Sequence, residues 1–336
     1  MKVEFLNIYI LFICFLSILA FDVSTVEELH KALARAKAGQ TISIAPGEYD
    51  YSTYERKIRF DAGADGTKSS PITITALDPD NPPLLRGPDV TGHTVLHITG
   101  NYWVVDNIKL AFSHKAIDID SGSYNIVRNV EIFSVGSQGV LIRGSSSHNL
   151  FQNCYIHQTG SNNPLFGDGF VIGTLEEQTT FAHDSNYNVV EGCVFREISS
   201  EPIKINEYTI GNEIVGNIFF GDGINGRSDA NSFISISGDD NYIHDNVAYR
   251  NSNDNIIHAF KVKKHVQDSG DGNKFVNNVL FMDRPYQKKD SEKRMYIVDG
   301  EDAQFYVKNN KVDYGEGLID ADSEEYYNSE SVSFLE

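Results

Sequence analysis

A short motif recurs along residues 100–315 and constrains the fold more than any other feature of the chain. One polar and two apolar residues precede an asparagine, and two apolar residues one position apart follow it. The recurring residue is Asn107, Asn129, Asn153, Gly192, Asn217, Asn246, Asn278 and Asn310. Asparagine and glycine both tolerate a left-handed backbone at low cost. The motif therefore predicts a tight bend that returns roughly every 22 to 32 residues, with one longer interval of about 39.

Two apolar positions follow each bend, and their spacing predicts a strand with one buried face. The first position is Ile108, Val130, Cys154, Cys193, Ile218, Val247 and Val279. The second is Leu110, Ile132, Ile156, Phe195, Phe220, Tyr249 and Phe281. Many stacked copies of one strand favour an all-β chain that forms a parallel β-solenoid filled by columns of like side chains.

The N-terminal part of the chain predicts a cap for this solenoid. Residues 24–28 offer overlapping capping-box spacings, and the apolar residues that follow lie on one helical face: Val26, Leu29, Leu33 and Ala36. An amphipathic helix here would cover the apolar end of the first coil. We expect a signal peptide at residues 1–20, a β-helix domain at 21–316 and an acidic tail or cap at 317–336.

Targeting, charge and cysteine content limit the possible roles. Lys2, a short apolar run at residues 8–13 and the small Ala20 predict a cleaved signal, hence a secreted protein with no membrane span after cleavage. A formal net charge of −19 argues against nucleic acid as a partner. Cys154 and Cys193 occupy one column on consecutive coils, which allows either two buried thiols or a disulfide.

Three stretches in the first hundred mature residues resemble a known group of proteins. They are residues 38–42 (AGQTI), 66–74 (GTKSSPITI) and 100–103 (GNYW). They are similar to the opening of secreted right-handed β-helix proteins of the pectate-lyase-like group, which includes polysaccharide lyases such as chondroitinase B and alginate lyases. The resemblance implies a right-handed parallel β-helix and an acidic polysaccharide as partner.

A second strand in each coil contains most of the candidate site residues. Its inward pairs are Ile117/Ile119, Val140/Ile142, Phe170/Ile172, Ile203/Ile205, Ile234/Ile236 and Phe260/Val262. Alternation turns the neighbours outward, and four of these are basic: Arg143, Lys204, Lys261 and Lys263. Basic residues on one face of an acidic protein suit an extended anionic sugar chain, although solvated lysines on any exposed sheet would look the same.

A lyase acting on uronic acids must neutralise the sugar carboxylate and remove the C5 proton. The resemblance implies a lysine base and acidic calcium ligands on an outward sheet face. Asn206 stands where those enzymes place the lysine, and Lys204 lies one outward position earlier. We therefore predict Lys204 as the base and Arg143 as substrate clamp or acid. Glu201 and Glu207 are the predicted calcium ligands, and the predicted substrate-binding residues are Asn206, His258, Lys261 and Lys263.

Other interpretations stay open at the level of sequence. His157, Asp168, His244 and Arg250 could also line such a groove. The Asp239–Asp240 pair is similar to the paired carboxylates of glycoside hydrolases, but it lies in a turn-forming sequence. The main alternative to a lyase is a non-catalytic β-helix that binds carbohydrate or builds an extracellular wall. We expect a monomer under either interpretation.

Overall fold

The computed structural model describes residues 20–174, 180, 182–227, 230–264, 269–283, 296–300, 303–322 and 332–334. Within these residues the chain forms the predicted parallel β-helix, in which each coil adds one strand to each of three sheets. Of the predicted signal segment, only Ala20 lies among the described residues. No helix in the described part is long and apolar enough to cross a membrane.

The strands stack in chain order within each sheet. Sheet A contains β1 (Ala20–Val23), β2 (Thr41–Ile44), β5 (Ile72–Ala76), β8 (Trp103–Asp106), β11 (Ile126–Arg128), β14 (Leu150–Gln152), β17 (Val189–Glu191), β20 (Glu213–Val215), β23 (Tyr242–His244), β26 (Asn273–Val276), β29 (Ala303–Lys308) and β32 (Val332–Phe334). Sheet B contains β3 (Glu48–Asp50), β6 (Leu84–Arg86), β9 (Lys109–Ala111), β12 (Glu131–Phe133), β15 (Tyr155–His157), β18 (Val194–Arg196), β21 (Ile218–Phe220), β24 (Val247–Tyr249), β27 (Val279–Phe281), β30 (Lys311–Asp313) and β31 (Leu318–Asp320). Sheet C contains β4 (Phe60–Ala62), β7 (Thr94–Ile98), β10 (Lys115–Asp120), β13 (Val140–Arg143), β16 (Phe170–Ile172), β19 (Ile203–Ile205), β22 (Ile234–Ile236), β25 (Phe260–Lys264) and β28 (Tyr296–Gly300).

The predicted capping helix is present as α1 (Val26–Arg35). The Thr25 side chain accepts a hydrogen bond from the Glu28 backbone, and the Glu28 carboxylate accepts one from the Thr25 backbone, so the capping box forms. Leu29, Ala32 and Leu33 are buried against the first coils. The end of the apolar core is therefore covered, as the sequence predicts.

The bend between sheets A and B is made by one residue of positive φ in each coil. These residues are Asn107, Asn129, Asn153, Gly192, Gly216, Asp245, Asn277 and Asn309. The predicted register is right for the first four coils and wrong by one residue for the last four. There the sequence places two suitable residues side by side: Gly216–Asn217, Asp245–Asn246, Asn277–Asn278 and Asn309–Asn310. Spacing alone does not show which of the two takes the bend.

Because of this shift of one residue, the side chains that the sequence predicts to point inward from sheet B point outward in the later coils. Phe220, Tyr249 and Phe281 point outward and stack on one another, with ring centroids 5.4 and 4.9 Å apart. Their inward neighbours are the buried residues Phe219, Ala248 and Leu280. The second apolar column that the sequence predicts is therefore internal in the early coils and external in the later ones.

The asparagines that follow these later bends form a buried column, which we call the asparagine ladder: Asn217, Asn246, Asn278 and Asn310. Each side-chain oxygen from Asn246 onward accepts hydrogen bonds from both the backbone N–H and Nδ2 of the previous member. Each Nδ2 also donates to a backbone carbonyl of sheet A. A buried amide needs both of its donors and its acceptor satisfied, and stacking copies at strand spacing achieves this.

Cys154 and Cys193 lie in the same column and precede the ladder. Both are buried free thiols, so of the two open alternatives the structure shows the thiols rather than the disulfide. The backbone N–H of Cys154 points to Cys193 Sγ at 3.4 Å, and that of Cys193 donates to Asn217 Oδ1 at 2.8 Å. The thiols therefore occupy the positions that amides fill in later coils.

Parts of the predicted C-terminal tail join the sheets. Strand β31 pairs antiparallel with β30, and β32 pairs parallel with β29. Asp322 accepts a hydrogen bond from Asn310 Nδ2 at 2.9 Å and so ends the asparagine ladder. The described part of residues 317–336 thus covers the last coil.

Candidate functional site

The outer face of sheet C brings the predicted site residues together. One outward column runs through consecutive strands as Asp61, His97, Asp118, Leu141, Val171, Lys204, Ser235 and Lys261. The predicted inward pairs of this sheet are all buried. Lys204 and Lys261 therefore share one side of the solenoid two coils apart, as predicted. The column is acidic at its N-terminal end and basic at its C-terminal end, with two apolar side chains between.

The N-terminal half of the face is a network of paired charges. Arg143 Nη2 lies 3.0 Å from Asp118 Oδ2 and 3.8 Å from Asp120 Oδ2. His97 connects the network to the first coil, since its Nδ1 lies 3.1 Å from Asp61 Oδ1 and its Nε2 lies 3.8 Å from Asp120 Oδ2. Arg143 reaches the predicted face, but two carboxylates compensate its charge.

Lys115 belongs to the same network and was not predicted from the sequence. Its Nζ lies 4.0 Å from Asp118 Oδ2. Burial lowers the pKa of Lys115; Asp118 opposes that shift, and Arg143 adds to it. Asp118 is itself only 4% exposed, so it depends on these two cations. The two carboxylates and the two cations balance, and this half of the face offers little net attraction to an anion.

The C-terminal half of the face contains a buried carboxyl pair beside Lys204. Asp168 and Glu201 precede β16 and β19 on neighbouring coils, and both are 3% exposed. The Glu201 backbone N–H donates to Asp168 Oδ1 at 3.2 Å, and Ser200 Oγ donates to Glu201 Oε2 at 3.0 Å. The charge of Lys204 acts on both carboxyl groups. Among the described residues no carboxylate lies within 4 Å of Lys204 Nζ.

The carboxyl pair holds protons more tightly than ordinary carboxylates do. Burial raises the pKa of Glu201 to about 7, the Asp168 charge adds to this shift, and Lys263 and Lys204 oppose it. Burial likewise raises the pKa of Asp168, against the effect of Lys204. Two adjacent buried carboxyl groups cannot both ionise at low cost, so the pair favours one shared proton.

The predicted substrate-binding residues differ in their placement. Lys263 is partly exposed on β25, whereas His258 and Lys261 are buried beside it at 6% and 4% exposure. Asn206 was expected on the outward face, but it is buried, and its Nδ2 donates to Gly173 O at 2.9 Å. Gly173 has a φ of +94°, so the chain turns there and the amide of Asn206 fastens the turn.

Most of the alternative groove residues lie away from this face. His157 is on sheet B against Phe133, and His244 is on sheet A bound to Glu213. Arg250 is buried in a turn after sheet B, with bonds to Asn253 O and Met282 O. Only Asp168 of this group joins the candidate site.

The Asp239–Asp240 pair is part of a turn rather than of this face. Asp239 Oδ1 accepts the backbone N–H of Asp271 at 2.8 Å, and Asp240 has a φ of +52°. These contacts connect successive coils between sheets C and A. The pair thus serves the turn, which does not favour a glycoside hydrolase built on it.

Comparison with known proteins agrees with this geometry. The family model described as Pel9A-like, right handed beta helix region matches residues 21–194. The chain belongs to the Pel9A-like right-handed β-helix family. A comparison with curated proteins finds no match.

Solved structures of this architecture include polysaccharide lyases. An alginate lyase from Paenibacillus sp. str. FPU-7 is 29% identical with a TM-score of 0.81, over 94% of this chain and 98% of that chain. Pectate lyase Pel9A is 17% identical with a TM-score of 0.59, over 90% and 75% of the two chains. A rhamnogalacturonan lyase is 13% identical with a TM-score of 0.60, over 92% and 82%. The last two similarities show the fold.

The predicted calcium ligands do not fit one calcium ion. Glu201 precedes β19 and Glu207 follows it, so at roughly 3.3 Å per residue an extended chain would place their backbones about 20 Å apart. Glu201 is paired with Asp168, whereas calcium needs six to eight oxygen ligands with ionised carboxylates among them. In the described residues no three His, Cys, Asp or Glu side chains come together as a metal site.

Proposed function

We propose that this β-helix is a polysaccharide lyase that cleaves an acidic, uronic-acid-containing polysaccharide by β-elimination. The observation that carries the proposal is Lys204, an outward lysine on sheet C with no carboxylate of the described residues within 4 Å. Its amino group is therefore available to a substrate on the outer face, beside the buried pair of Asp168 and Glu201.

The reaction uses the groups of the C-terminal half of the face. In its neutral form, Lys204 Nζ takes the C5 proton of the uronate ring. The released electron pair forms the C4–C5 double bond, and the bond between C4 and the glycosidic oxygen breaks. The ammonium formed on Lys204 then returns this proton to the leaving oxygen. Lys263 and Lys261 supply positive charge for neighbouring uronates.

An alginate-type polyuronate is the first substrate to test. The relative with the highest identity among those described above is an alginate lyase over nearly the whole length of both chains. We further propose that the protein is secreted after removal of residues 1–20 and acts as a monomer. Calcium remains a prediction without assigned ligands, since Glu201 and Glu207 do not form one site.

The decisive assay follows the ultraviolet absorbance of the unsaturated product. The mature protein is incubated with alginate, pectate and glycosaminoglycans, with added calcium or with EDTA. We expect absorbance to rise with at least one polymer, and an EDTA effect would indicate a metal. The Lys204→Ala variant should lose about 100-fold to 10,000-fold in kcat/KM, the range for the loss of a general base.

A matched control is Lys274→Ala, which removes an exposed lysine of β26 on sheet A. It should leave kcat/KM unchanged. No absorbance change on any polymer, combined with retained binding to one of them, would favour the non-catalytic carbohydrate-binding alternative. Full activity in Lys204→Ala would show that another residue is the base.

A further inference from the structure

Three outward residues form a row across neighbouring strands in the basic half of sheet C. Lys204 of β19 is in register with Ser235 of β22, and Ser235 is in register with Lys261 of β25. Parallel strands lie about 4.8 Å apart, so the serine hydroxyl stands between two lysine side chains. A hydroxyl donor between two cations is suited to an anion.

Ser235 is almost completely buried, yet its hydroxyl has no partner among the described residues. Ser235 is 1% exposed, and its Oγ makes no hydrogen bond there. The same holds for Oγ of Ser232, three residues earlier, and for Oε1 of Glu201 on the adjacent coil. A buried polar atom without a partner costs free energy, so an unpartnered hydroxyl in register between two lysines indicates a place for a polar ligand.

We propose that Ser235 binds the carboxylate of a uronate ring, with Lys204 and Lys261 on either side of it. This inference rests on the proposed function and deepens it, because it assigns the residue that holds the reacting sugar. The C5 proton is acidic enough to remove only when the adjacent carboxylate is neutralised. Ser235 is the direct neighbour of Lys204, so it holds the carboxylate within reach of the base.

The charge distribution supports a carboxylate rather than a neutral sugar group at this position. Two of the three residues in this row are basic, and Lys204 has no carboxylate of the described residues within 4 Å. In the other half of the face, Asp118 and Asp120 lie within 4 Å of Lys115 and Arg143. A hydroxyl supplies a directional donor that the lysines alone lack, and it fixes which oxygen of the carboxylate faces the base.

The experiment compares two trisaccharides that differ only in their carboxyl groups. Saturated β-1,4-trimannuronate and the neutral β-1,4-mannotriose are titrated by calorimetry into the full mature chain and its Ser235→Ala variant. We expect Ser235→Ala to weaken trimannuronate binding by about 10-fold to 100-fold, as for the loss of a hydrogen bond to a charged group. Mannotriose binding should be weak and equal in both proteins.

A stability measurement separates binding from a structural role. Because Ser235 Oγ has no partner in the described structure, Ser235→Ala should unfold at the same or a higher Tm. Ser237→Ala removes the next hydroxyl along the chain, just after β22, and should leave trimannuronate affinity within twofold. An equal loss of affinity for both trisaccharides, a lowered Tm in Ser235→Ala, or unchanged trimannuronate binding would each overturn the proposal.

The binding test is independent of catalysis. If the wild-type protein binds trimannuronate through Ser235 but forms no unsaturated product from any polymer, the carboxylate site stands and the lyase function fails. If the lyase is active and Ser235→Ala binds trimannuronate normally, the lyase function stands and the assignment of Ser235 fails.

Discussion

Replacing Asn278 by alanine would interrupt the asparagine ladder in its middle. Asn278 Oδ1 accepts the backbone N–H and Nδ2 of Asn246 at 3.1 and 3.0 Å, and its Nδ2 donates to Ile243 O at 3.0 Å and Asn310 Oδ1 at 2.9 Å. Four hydrogen bonds at about 1 kcal/mol each, together with about 1–3 kcal/mol for a buried Asn246 N–H left without an acceptor, give an expected loss of about 5–7 kcal/mol in the free energy of unfolding.

The neighbouring asparagine is the matched control. Asn277 is exposed and takes the bend at a φ of +57°, a conformation that glycine adopts without strain. Asn277→Gly should therefore change the free energy of unfolding by no more than about 1 kcal/mol. Urea denaturation followed by circular dichroism gives both values. Equal destabilisation by the two variants, or a larger effect of Asn277→Gly, would refute the assignment of the ladder to the residue after the bend.

Three further predictions concern stability and the state of the two cysteines. Glu201 keeps its proton in the folded protein up to a pKa of about 7 but only to about 4.5 when unfolded, so stability should fall as pH rises between these values, by roughly 3 kcal/mol at most. Glu201→Gln should remove this fall. Melting curves of both proteins from pH 4 to 8 test this, and the same pH dependence in wild type and Glu201→Gln would contradict the prediction. Arg143→Ala should lower the free energy of unfolding by about 3 kcal/mol, because Asp118 loses its partner at 3.0 Å. A loss of sugar binding with an unchanged Tm would show instead that Arg143 is a substrate clamp. Cys154 and Cys193 should both react with a thiol reagent in denaturant without prior reduction, and an absence of reactive thiols would reveal a disulfide.

The sequence predicts the architecture well because a solenoid repeats its physical constraints. The alternating pairs of sheet C, the capping box at Thr25 and the first four bends are all confirmed. The prediction is wrong where two neighbouring residues satisfy the same rule, as at Asn277 and Asn278. A buried amide and a left-handed bend both select asparagine, and only the hydrogen bonds between coils distinguish them.

The candidate site is predicted in outline but not in its contacts. Alternation correctly places Lys204 and Lys261 on one face. It does not show that Arg143 is held by two aspartates, because those contacts join residues of different coils. Asn206 was expected to face outward by the same rule, but its side chain folds back to bond Gly173 where the strand ends. The raised pKa values of Asp168 and Glu201 likewise depend on burial, which a pattern of residue types does not give.

The most direct measurement is a crystal structure of the Lys204→Ala variant, inactive by our account, with bound trimannuronate. We expect the sugar to lie along the outer face of sheet C, with one carboxylate within hydrogen-bonding distance of Ser235 Oγ and the C5 atom of that ring facing position 204. Binding only at another surface, such as the exposed rings of Tyr124 and Tyr187, would contradict the assignment of this face as the site.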